Sequence, residues 1–118
     1  MIWFAALLSF AWFLVHIIMG GREIALPLRT RSGLKTHEWS PAFLCWHLVS
    51  GLIFCMALFF VLGAWLEDAS FVLAGTILAA MATLVGVILP PLIKVGYRVL
   101  PQGWLFLPVT LAGGWAAI

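Results

Sequence analysis

His16 and His47 lie inside two long apolar runs, on either side of a stretch holding Arg22, Arg29, Arg31 and Lys35. Neutral imidazole is a common ligand for haem iron and metal ions, and an ionisable group placed in a membrane-type segment is costly unless it is used. On regular helices His16 falls about 6 Å before the end of the first run and His47 about 9 Å into the second. At that shared depth two facing imidazoles can hold haem b or a metal ion from opposite sides. The plainer expectation, which we favour, is hydrogen bonding to a neighbouring helix, a lipid headgroup or the adjacent turn, since matching depths arise easily by chance. No CxxCH motif and no second histidine pair accompanies them. His37 could add a third metal ligand from the loop, but an exposed histidine in a polar stretch usually carries no role.

Other reactive side chains are less well placed. Cys45 and His47 are two apart on one helix and point about 200° from each other, so they do not face one site. Cys45 and Cys55 are separated by about 15 Å along that helix, too far for a disulfide within the chain, which leaves free thiols or bonds between chains. Met19, Met56 and Met81 would suit a soft-metal path, but they scatter over three helices and read as packing. Gly20-Gly21-Arg22-Glu23 is the most distinctive short motif. It reads either as a headgroup clasp built on Arg22 or, preferably, as a helix stop followed by an arginine that sets topology. Lys94, next to Pro90-Pro91, is expected to snorkel to the interface. No carboxylate sits mid-span, and no HExxH, GxSxG or P-loop motif occurs, so the sequence offers no recognisable catalytic machinery.

Composition dictates the elements that position these groups. Of 118 residues, 65% are apolar and 8% charged, outside the range of water-soluble domains. The mean hydropathy of +1.19 calls for a bilayer as solvent. The formal charge of +2 is confined to stretches next to the membrane and does not suggest nucleic acid as a partner. Four spans are predicted, at about 1–19, 41–66, 71–97 and 102–118, in one domain. The first lacks a basic leader and a small-x-small cleavage site, so it is expected to stay attached. Gly20-Gly21 is expected to end it, Ser40-Pro41 to start the second, and Pro90-Pro91 to kink or stop the third near Gly86 to Leu89. The fourth is marginal for a crossing at about 25 Å.

Short connections arrange these spans as an all-α, up-down four-helix bundle. All six Lys and Arg residues lie in 20–40 or 94–101, whereas the middle turn carries Glu67-Asp68. The positive-inside rule makes 20–40 and 94–101 cytoplasmic and puts both termini on the other side. Trp39, Trp46 and Trp104 then form one aromatic belt and Trp3, Trp65 and Trp115 the other. Gly75, Ala79, Ala82 and Gly86 share one face of the third span, where another helix can approach closely.

The pattern of His16, Gly20-Gly21-Arg22-Glu23-Ile24-Ala25-x-Pro27-Leu28, Cys45-Trp46-His47 and Pro101-Gln102 resembles small uncharacterised four-span proteins of bacterial inner membranes. That resemblance implies a bacterial inner-membrane location and a four-helix fold, and no activity. The function expected from the residues is that of a non-enzymatic accessory or assembly subunit of a larger membrane complex, or a homo-oligomer, with lipids and other membrane chains as partners. The alternatives are a redox protein holding haem or metal on His16 and His47, and a small transporter or channel.

Overall fold

A computed structural model covering Met1–Ile118 shows only helices: α1 (Ile2–Thr30), α2 (Thr36–Leu66), α3 (Ala69–Leu92) and α4 (Gln102–Ala116). Each packs against its sequence neighbour, and α4 returns to α1, which closes an antiparallel ring. Helices α1, α2 and α3 are long and apolar enough to cross a membrane. Helix α4, with 15 residues, is about 22 Å long and falls short of the expected 102–118 span. Only 19 of 118 residues are buried, so most apolar side chains point outward, as they must where hydrocarbon is the solvent.

The first helix departs from expectation. Gly20-Gly21 does not end it. The backbone runs on to Thr30, with His16–Ala25 wound as a π-helix in which, at its exit, the Leu26 N–H reaches the Gly21 carbonyl. A glycine stop requires a left-handed residue, and the only left-handed glycine is Gly33, in the turn after α1. The expected polar loop 20–40 therefore shrinks to residues 31–35, and Arg22, Glu23 and Arg29 ride on helix. At Gly20 the need is for space: an added Cβ would lie 2.7 Å from the Trp46 ring.

Ser40-Pro41 likewise does not open α2. The helix starts at Thr36, where the Glu38 carboxylate accepts the Lys35 N–H at 2.8 Å, leaving Pro41 in the second turn. At the far end Glu67 takes the left-handed conformation and the Asp68 N–H bonds to the Gly63 carbonyl, closing α2. Asp68 then caps α3 through its Oδ1, which accepts the Ser70 N–H at 2.8 Å. Two acidic residues thus reverse the chain.

Helix α3 ends at Leu92 rather than near Tyr97, and just past the expected stop at Gly86 to Leu89. Its end is a Schellman cap, in which the Val95 N–H bonds to Pro90 and the Lys94 N–H to Pro91, with Lys94 left-handed at φ 58°. The prolines leave carbonyls short of partners, and an aromatic donor repairs one of them. Pro91 has no N–H for the Val87 carbonyl, which accepts from the Tyr97 hydroxyl at 2.8 Å. Elsewhere the Leu105 carbonyl accepts from the Trp12 indole at 2.9 Å, which ties α4 to α1.

The core sits toward the Glu67-Asp68 end and centres on the fully buried Phe60. Its ring lies over Gly75 and Gly113, where an added Cβ would come within 3.2 and 2.9 Å. The small-residue face of α3 is consumed here. Ala79 is buried, Ala82 packs on the core, and Gly86 meets Gly103 backbone to backbone, with only 2.5 Å for a Cβ. Gly75, Ala79, Ala82 and Gly86 therefore receive the chain's own Phe60 and α4. Beside them Thr83 and Thr110 join α3 to α4 through their hydroxyls at 3.0 Å.

Candidate functional site

The π-segment, Trp46 and the connection after α3 enclose two clefts at the end of the bundle that carries the basic residues. The wider backbone of a π-turn is frequent at functional sites, because it re-aims side chains without breaking the helix. Here it sorts them into two rows. Ile17, Gly21 and Ala25 line a cleft of about 300 Å³ between α1 and α2; His16, Gly20 and Ile24 line one of about 350 Å³ between α1 and α4. Trp46 borders both and lies over Gly20. It is half-buried between helices.

His16 stacks on the Trp46 ring with centroids 4.0 Å apart and an interplanar angle of 11°. Its Nε2 lies 3.5 Å from the Trp46 carbonyl, which also accepts from the Ser50 hydroxyl at 3.0 Å. His47 is exposed and sits edge-on to Phe43, with centroids 4.6 Å apart. The Arg29 guanidinium lies 6.0 Å from the centre of the same Phe43 ring. His16 lines the α1/α4 cleft and His47 the α1/α2 cleft, so neither cleft receives both imidazoles. Their common depth is that of an aromatic cluster arranged around Trp46.

The remaining candidates are dispersed. Cys45 is exposed and Cys55 half-buried, both as free thiols, and no three His, Cys, Asp or Glu side chains gather in metal-binding geometry. Met19 lines the α1/α4 cleft, Met56 belongs to the core and Met81 is exposed. Arg22 is exposed on the π-segment, His37 lies in the first turn of α2, and Lys94 is the left-handed cap of α3. Sequence reasoning passed over Trp46 as a packing centre and Arg29, Arg98 and Gln102 as cleft residues. A tryptophan opposite a glycine pair was the available signal.

What this arrangement offers chemically is binding. The α1/α2 cleft presents a guanidinium and an imidazole over an apolar floor, and the α1/α4 cleft presents Glu23, Arg98 and Gln102 above Val15, Leu105 and Phe106. Comparison with known proteins found no matching family model, no similar curated protein and no similar solved structure.

Proposed function

We propose that this chain is a non-enzymatic membrane protein that works by docking, as an accessory or assembly subunit of a larger membrane complex or as a homo-oligomer. In this reading α4 completes a fourth span beside α3, the basic end faces the cytoplasm, and the host membrane is a bacterial inner membrane. Clustering of all six Lys and Arg residues at one end supports that orientation.

The observation that carries the docking role is the outward face of α2. Cys45, Leu48 and Leu52 are exposed along it, Cys55 is half-buried, and spacings of three, four and three place them on one side. Gly51, beside this row, has nothing within 4 Å of an added Cβ. A small exposed residue in a lipid-facing helix gives a partner helix room to approach. The α3 face, once a rival for this role, is filled by α4.

Mild oxidation in native membranes tests the proposal. A disulfide-linked product, either a dimer or a larger adduct, is expected, and it should vanish in Cys45→Ser/Cys55→Ser. Gly51→Leu should reduce its yield while leaving the fold intact. A monomer that persists under oxidation, together with unchanged size of the detergent-extracted wild-type and Gly51→Leu proteins at that of one chain, would overturn it.

A further inference from the structure

The α1/α4 cleft has a polarity that docking along α2 does not use. Its walls toward the middle of the bundle are Val15, Ile53, Leu105 and Phe106, all apolar, while its other end carries Glu23, Arg98 and Gln102. It exists because α4 starts deep: Gly103 meets Gly86, so the first turn of α4 stands below the end of α3, and the connection from Ile93 to Pro101 crosses over the gap. That gap lies where the apolar part of the bundle meets its charged end. Amphiphiles sit at such a boundary.

The charges specify which amphiphile. Glu23 and Arg98 are both exposed, line the same cleft and make no hydrogen bond to each other. We propose that this cleft binds a phospholipid with a zwitterionic primary-amine headgroup. Its phosphate lies against Arg98 and Gln102, its ammonium against Glu23, and the start of one acyl chain over Leu105 and Phe106. The planar fork of a guanidinium donates two parallel charged hydrogen bonds to oxygens of an anionic phosphate, and an ammonium donates charged hydrogen bonds to a carboxylate. An anionic headgroup without an amine leaves Glu23 facing negative charge, which selects against it. A choline headgroup has no N–H to donate and binds best within aromatic faces. The Trp46 ring already has His16 stacked on one face. A volume of about 350 Å³ accepts a headgroup and the top of a chain while the rest stays in the bilayer.

Native mass spectrometry of the full chain, delipidated in detergent and given equal amounts of phosphatidylethanolamine, phosphatidylcholine and phosphatidylglycerol, tests this site. Phosphatidylethanolamine should be retained over either competitor by about tenfold, the value of one charged hydrogen bond. Glu23→Gln should cancel the preference over phosphatidylcholine, Arg98→Gln should weaken all three lipids, and Arg98→Lys should recover part of the loss. Glu23 is exposed on α1, so its variant reads the site even if an Arg98 variant fails to fold. Equal retention of the three lipids, a preference for phosphatidylglycerol, or unaltered selectivity in Glu23→Gln would overturn the proposal, as would a copurifying polypeptide that occupies the cleft instead.

Discussion

At the scale of single residues, His16 and His47 show how like side chains acquire unlike roles. His16 is half-buried against the Trp46 indole, whereas His47 is exposed beside Phe43. An aromatic stack contributes about 0.5–1.5 kcal/mol beyond its area, so His16→Ala should destabilise the detergent-solubilised protein by about 1 kcal/mol and His47→Ala by clearly less. Thermal unfolding followed by circular dichroism measures both. A Soret band in the wild-type protein that is lost in both variants would instead favour the haem reading. Lys94 offers a test of opposite sign: a non-glycine residue in the left-handed region costs about 1 kcal/mol, so Lys94→Gly should raise the unfolding midpoint.

At the scale of elements, proline sets the problem at the end of α3 and an aromatic donor solves it. Tyr97, the one tyrosine, reaches back ten residues to the Val87 carbonyl that Pro91 leaves free. Tyr97→Phe should cost about 1 kcal/mol of stability, the net worth of a hydrogen bond. In a Pro91→Ala background the backbone N–H of residue 91 can serve that carbonyl, and the penalty of Tyr97→Phe should shrink toward zero. A double-mutant cycle on unfolding in mixed detergent reads this coupling, and two additive penalties would contradict it. Such partnerships explain what was legible in the sequence. Apolar run lengths announced the helices and Pro90-Pro91 announced the end of α3, because both act through neighbours in the chain. The π-segment was not legible, since Gly20-Gly21 is a stop signal in isolation and becomes a passage only when Trp46, from another helix, lies across it. The two clefts depend on that same contact, so they were hidden for the same reason.

At the scale of the whole molecule, stability rests on a narrow core and the proposed orientation on charge. Phe60 fills the space that Gly75 and Gly113 vacate, and Phe60→Ala should cost about 3–5 kcal/mol, seen as a large drop in the unfolding midpoint. Gly86→Val should separate α3 from α4 at the same time as it harms folding, because Gly103 backbone occupies the position of the new side chain. The small-residue stripe was legible from its spacing; its partner was not, because nothing in Gly75, Ala79, Ala82 and Gly86 says whether the approaching helix belongs to the same chain. The proposed sidedness requires α4 to return across the bundle. It packs antiparallel to α3 from Gly103 opposite Gly86 to Gly113 opposite Thr76, which carries the C-terminus back toward Glu67-Asp68. Under the proposed orientation, single cysteines in a Cys45→Ser/Cys55→Ser background have defined exposures. Ser32→Cys and Gly96→Cys should react with a membrane-impermeant thiol reagent only from the cytoplasmic face, and Ala69→Cys and Ile118→Cys only from the opposite face. Labelling of positions 32 and 118 from the same face would mean that α4, with its 15 residues, does not complete a fourth crossing.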